Sequence, residues 1–139
     1  MKRFSFNLQK VLQLRKFREE ECKIALGQAI SILNEIEKKI KETAFKHHNA
    51  ASQRFITPVQ ISVWDNYIIR LEQETQKLQE QAAQAELVVE EKRAEYLESS
   101  KDLKAMEKLQ EKRQKEYRKE MFDSVMAETD DLTAARIFN

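Results

Sequence analysis

The chain has 139 residues, of which 35% are charged and 41% apolar, with a formal net charge of +1. A single glycine and a single proline leave it almost without turn residues, which excludes a domain built of β-hairpins. The near-neutral balance excludes bulk attraction to nucleic acid or to an acidic membrane surface.

Glu, Lys, Gln, Leu and Ala dominate, the composition of long helices with solvated outer faces. No run approaches the ~18 apolar residues that cross a bilayer, and the N-terminal segment lacks the apolar core of a secretory signal. Cys22 is alone, so no intrachain disulfide is possible, and a reducing cytosol is the expected compartment.

Met1 to Arg18 carries six Lys/Arg and no acid, with Phe4, Phe6 and Phe17 interleaved. Such a segment reads as the start of a helix with a solvated basic face, a membrane-surface helix, a transit peptide or an anion-binding arm. It is poor in serine, and its periodicity runs on into the next residues, which argues against a transit peptide. Docking into an acidic cavity of another protein fits both its charge and its phenylalanines.

A heptad seam then runs through Leu8, Leu12, Arg15, Glu19, Cys22, Leu26, Ala29, Leu33, Ile36 and Ile40, eight of these ten positions being apolar. It continues more weakly through Thr43, His47 and Ala50. Helix one is expected from about Ser5 to Arg54, roughly 75 Å of helix. Gly27 falls on its outward face, where it reads as a defect of about 1 kcal/mol or, more pointedly, as room for a partner's close approach.

The lone proline follows. Thr57 and Gln60 have the spacing of a Thr-x-x-Gln capping box, and Pro58 would occupy the first helical position, where its missing N–H is no loss. Residues 55–58 are therefore expected to stop one helix and start another, giving an αα-hairpin.

After Pro58 a second seam reads Ile61, Trp64, Ile68, Leu71, Thr75, Leu78, Ala82, Ala85, Val89, Lys92, Tyr96, Ser99, Leu103 and Met106, eleven of fourteen apolar. Spacing this regular predicts a coiled coil. The expected fold is all-α, a single antiparallel coiled-coil hairpin whose second helix, from Pro58 to about Met126, is the longer at roughly 100 Å. Its next seam positions, Gln110, Arg113, Tyr117 and Glu120, are mostly polar. An overhang is therefore expected beyond about Leu109, with a frayed tail after Met126.

Assembled chemistry is not expected. One glycine cannot make a phosphate-binding loop. His47 and His48 are adjacent and diverge, and no third ligand accompanies them. Cys22 stands on the seam as a small apolar residue. Asp130 and Asp131 also diverge, and read as a solvated or partner-facing acidic patch. Neither catalytic, metal-binding nor cofactor-binding residues are predicted.

Two end motifs carry a resemblance. The start, Phe4-x-Phe6-x-Leu8-x-x-Val11-Leu12-x-x-Arg15, resembles the opening of the bacterial flagellar export protein FliJ family. Lys108-Leu109-x-Glu111-Lys112-Arg113 with Glu116-Tyr117-Arg118-Lys119-Glu120, and then Glu128-x-Asp130-Asp131-Leu132-x-x-x-Arg136, resemble that family's second-helix end and acidic terminal signature. Length and hairpin layout agree along essentially the whole chain. Ile137 is a departure, standing where an aromatic residue is expected directly after Arg136.

The resemblance implies a non-enzymatic, cytoplasmic component of the flagellar type III export apparatus, similar to the stalk of rotary ATPases. It implies binding to the hexameric export ATPase with promotion of its assembly, a link to the membrane-embedded export gate, and contact with export chaperones. Membrane association would then be peripheral, through partners, at the inner face of the membrane. On this reading Phe4, Phe6, Leu8, Arg15, Arg18, Arg113, Tyr117, Arg118, Asp130 and Asp131 are expected to meet the ATPase. Phe45, Phe55, Trp64 and Tyr67, near the bend, are expected at the gate or a chaperone, with capping of the hairpin as the plainer reading. Stalks of a virulence secretion system or of a rotary ATPase, and a generic coiled coil or homodimer, remain as alternatives.

Overall fold

The computed structural model describes residues 3–56 and 60–138, the last two of these by backbone alone. It contains two helices, α1 (Gln9–Ile56) and α2 (Ile61–Phe138), packed antiparallel as a coiled-coil hairpin. Thr57 and Pro58 lie outside the described residues, so the expected capping box at the bend does too. Gln60 is exposed and directly precedes α2.

The chain divides into two compact units. One consists of Met1–Glu19 with Glu98–Asn139, the other of Glu20–Leu97. In the second unit the buried residues are Ala29, Thr43, Ala50, Leu71, Leu78, Ala82 and Val89. All seven are seam positions, so the 3.5-residue period of the sequence is the period of burial. Most are small. Thr43 and Thr75 place hydroxyls in this seam without loss, because Thr43 Oγ1 donates to the Lys39 carbonyl at 2.9 Å and Thr75 Oγ1 to the Leu71 carbonyl at 2.8 Å.

In the first unit Phe6, Leu12, Leu103 and Met106 form a cluster, against which Phe4, Leu8 and Leu109 pack. Three of those four stand on the seams; Phe6 does not. Ser99, 1% exposed, completes the buried set of this unit.

Three expectations change here. Helix one begins at Gln9 rather than near Ser5. Residues 3–6 form no regular element and residues 7–8 a turn, closed by the Gln9 N–H donating to the Phe6 carbonyl at 3.0 Å. The physical reason lies in Phe4-x-Phe6-x-Leu8: a period of two presents all three apolar side chains to α2, whereas a helix would scatter them around its axis. Exposure follows that alternation, with Ser5 and Asn7 exposed between buried Phe6 and half-buried Phe4 and Leu8.

Helix two continues to Phe138, well past Met126. No glycine or proline interrupts it after Pro58. Thr129 and Thr133 return their hydroxyls to the Val125 and Thr129 carbonyls at 2.9 Å, and Arg136 lies in the last turn, where a cation complements the helix dipole.

The unpaired stretch also starts later than Leu109. Gln110, Arg113 and Tyr117 are half-buried beneath the N-terminal arm, and continuous exposure begins only after Met121. The seam turns polar because it meets an irregular arm there instead of a second helix.

Candidate functional site

The arm and α2 hold each other through a ladder of side chains in the first unit. Gln110 Nε2 donates to Gln9 Oε1 at 3.1 Å, and Arg113 Nη1 donates to Asn7 Oδ1 at 2.5 Å. The same guanidinium lies 5.5 Å from the centre of the Phe6 ring, and the Phe4 and Tyr117 rings meet at 5.5 Å. A cation over an aromatic face contributes about 0.5–1 kcal/mol at an exposed site. Farther along, Arg15 Nη1 donates to the Asp102 carbonyl at 2.9 Å, which explains how a charged residue occupies a seam position.

An open cleft of about 550 Å³ follows the arm, lined in part by Arg3, Phe4, Arg113, Tyr117, Glu120 and Met121. Both signs of charge border it, with aromatic surface at its floor. Of the residues predicted to meet a partner here, Phe4, Leu8, Arg113 and Tyr117 are held at the arm, whereas Arg15 lies farther along α1 beside Asp102. Phe6 is at its core, 8% exposed, and supports this surface from beneath rather than forming it. Arg18 and Arg118 are exposed, while Asp130 and Asp131 lie on the uncovered stretch of α2, apart from the arm.

The second predicted group falls in the other unit. Phe45 and Phe55 are exposed, at 66% and 80%. Trp64 and Tyr67 are half-buried and meet edge to face at 6.2 Å, and Arg70 lies 5.8 Å over the Tyr67 ring. Arg54 Nε donates to Asp65 Oδ1 at 2.6 Å, joining the end of α1 to the start of α2. Among the described residues Trp64 Nε1 is buried without a hydrogen-bond partner. An unsatisfied buried donor costs about 1–3 kcal/mol.

Two further exposed apolar surfaces are present, the first within the basic segment whose Phe17 the sequence already marked for docking. Val11, Leu14 and Phe17 are exposed on the outer side of α1. Phe122, Val125, Met126 and Leu132 are exposed on α2 beyond the arm. The second has a sequence signal: Phe122, Val125, Thr129, Leu132 and Arg136 repeat at three and four residues, a register displaced from the hairpin seam.

Among the described residues no three His, Cys, Asp or Glu side chains are grouped to hold a metal ion. No described helix is long and apolar enough to cross a membrane. What the fold defines is a coiled-coil hairpin protein with exposed apolar and charged surfaces.

The family model described as "Flagellar FliJ protein" matches residues 4–139, and the chain belongs to that family. It is thus a coiled-coil protein of flagellar export, in a family of structural, non-catalytic members. No curated protein and no solved structure matches the chain.

Proposed function

We propose that this chain acts as a stalk-like rod of the flagellar type III export apparatus. It binds the hexameric export ATPase, promotes its assembly and activity, and links it to the export gate and to export chaperones. The ATPase meets the surface carried by Phe4, Leu8, Arg15, Arg18, Arg113, Tyr117 and Arg118, with Phe6 beneath and Asp130 and Asp131 beyond. The protein then resides in the cytoplasm, at the inner face of the membrane only through its partners.

The observation that supports this reading most directly is the arm. Residues far apart in the sequence, Phe4 and Asn7 on one side and Tyr117 and Arg113 on the other, form one surface. A surface built from the N-terminal arm and α2 would present charge and aromatic area to a ring-shaped partner. The group near the bend, Phe45, Phe55, Trp64 and Tyr67, is assigned to the gate or a chaperone on its exposed aromatic area.

The test is capture of the export ATPase of the same cell by the full chain, followed by its hydrolysis rate. Wild-type protein should bind and stimulate it. Arg18→Glu with Arg118→Glu should lose both while retaining wild-type helicity. Unchanged stimulation by that variant would remove the ATPase assignment from this surface.

A further inference from the structure

The polar positions of the two seams are not spread evenly. From Leu8 to Ile40 and from Ile61 to Met106 five seam positions are not apolar. Four of them, Arg15, Glu19, Lys92 and Ser99, fall within one short stretch of each helix; Thr75 is the fifth. Those stretches face each other. Arg15 reaches the Asp102 carbonyl in the first unit, and His47 meets Glu72 at 3.3 Å in the second, so in both units a step forward on α1 matches a step back on α2. Residues 15–19 therefore lie opposite 98–102, and residues 20–26 opposite 92–97, each set within its own unit.

Burial lapses along the same stretch. On α1 no described residue is buried between Leu12 and Ala29, and on α2 Ser99 alone is buried between Val89 and Leu103. Cys22, Leu26 and Tyr96 hold their seam positions half-buried. Leu14, Phe17, Ile24 and Leu97 are exposed, so most of the large apolar side chains here stand outside the seam. The division of the chain into compact units also falls inside the stretch, after Glu19 on α1 and after Leu97 on α2.

We propose that residues 15–26 of α1 and 92–102 of α2 form a soft segment of the hairpin, where the helices part and rejoin while the residues on either side stay packed. Apolar residues close both flanks: Phe6, Leu12, Leu103 and Met106 toward the arm, and Ala29, Leu78, Ala82 and Val89 toward the bend. Opening the stretch exposes little apolar surface, and its charged seam groups are well solvated when apart. Lys92 pairs with Glu95 of its own helix at 3.5 Å, a contact that survives parting of the two helices. Water replaces the carbonyl bonded to Arg15 at small net loss. Regions with few buried apolar contacts open more readily than the molecule as a whole. The seam thus has a place to yield without releasing the arm or the bend. The segment depends on packing alone and stands whether or not the chain binds the export ATPase.

Native-state hydrogen exchange of the full chain, read by mass spectrometry and corrected for intrinsic rates, tests this. Amides of 15–26 and 92–102 should exchange roughly tenfold or more faster than those of 29–43 and 78–89 on one side and 103–109 on the other. A protection profile with no dip in the stretch would overturn the proposal. Glu19→Leu with Lys92→Leu places apolar side chains at two of its polar seam positions. That variant should slow exchange within the stretch by roughly tenfold or more and leave 29–43 and 78–89 within about twofold of wild type. Equal slowing along the whole hairpin would mean that the stretch opens only with the entire molecule, and the soft segment would be abandoned. If sedimentation shows that the leucines make the variant associate, the wild-type profile decides by itself.

Discussion

Phe4 and Tyr117, separated by most of the sequence, meet ring to ring with centroids 5.5 Å apart and planes at 50°. Tilted aromatic pairs contribute about 0.5–1.5 kcal/mol beyond the area they bury. A double-mutant cycle of Phe4→Ala and Tyr117→Ala, read by urea denaturation, should therefore give a coupling energy of about that size. Additive single losses would mean that the arm does not rest on α2. Truncation sharpens the point. A chain ending at Met121 should keep hydrogen-exchange protection around Leu8–Leu12, whereas one ending at Leu109 should lose it, because Arg113 and Tyr117 are gone.

Arg15 holds a seam position by one hydrogen bond to the Asp102 carbonyl. Burying a leucine there would contribute about 1.5–3 kcal/mol, more than the ~0.5–1.5 kcal/mol net of the bond it replaces. Arg15→Leu should therefore raise the denaturation midpoint. If Arg15 also serves the ATPase, the same variant should stimulate hydrolysis less. A more stable protein with unimpaired stimulation would make Arg15 an ordinary seam residue.

Gly27 is helical and exposed, and a Cβ built on it meets nothing within 4 Å. Gly27→Ala should stabilise the helix by about 0.8–1 kcal/mol, measurable as a higher thermal midpoint. The sharper reading, in which a partner's backbone approaches this glycine, is separated by the same variant: it would be stable yet impaired in export-dependent motility.

Trp64 buries an indole N–H that finds no acceptor among the described residues. Trp64→Phe gives up some apolar area but also removes that unsatisfied donor, and the two effects oppose each other. The expected change in unfolding free energy is within about 1 kcal/mol of wild type, against the ~3–5 kcal/mol of a full truncation to alanine. A loss as large as the alanine value would show that the N–H is satisfied in solution.

The sequence was most informative where one physical rule governs a long stretch. Every buried residue among those described, from Leu12 and Thr43 to Ser99 and Met106, stands on one of the two heptad seams, with Phe6 the exception. Phe6 shows why the rule stopped. Heptad counting presumes a helix on both sides of the seam, and at Phe4-x-Phe6-x-Leu8 the period falls to two. Once the arm is not helical, polar Gln110 and Arg113 no longer mark an overhang, since Gln9 and Asn7 receive their hydrogen bonds. The tail was foreshortened for a related reason. Its apolar residues leave the hairpin register at Phe122, and only a search for a second register reveals them. Exposure at Phe45 and Phe55 follows from their outward positions, but nothing in their spacing names an occupant.

The arm also sets a gearing between the N-terminal segment and α2. The five steps from Phe4 to Gln9 are matched to the seven from Tyr117 to Gln110, about 10 Å of helix. One residue of arm therefore corresponds to more than one residue of α2. Inserting a single residue between Leu8 and Gln9 would slide Phe4 past Tyr117 by nearly half a helical turn, carrying it off the face that Tyr117 presents. Length in this segment is thus held more tightly than its irregular backbone suggests, because the arm works as a measured spacer between α1 and its landing on α2.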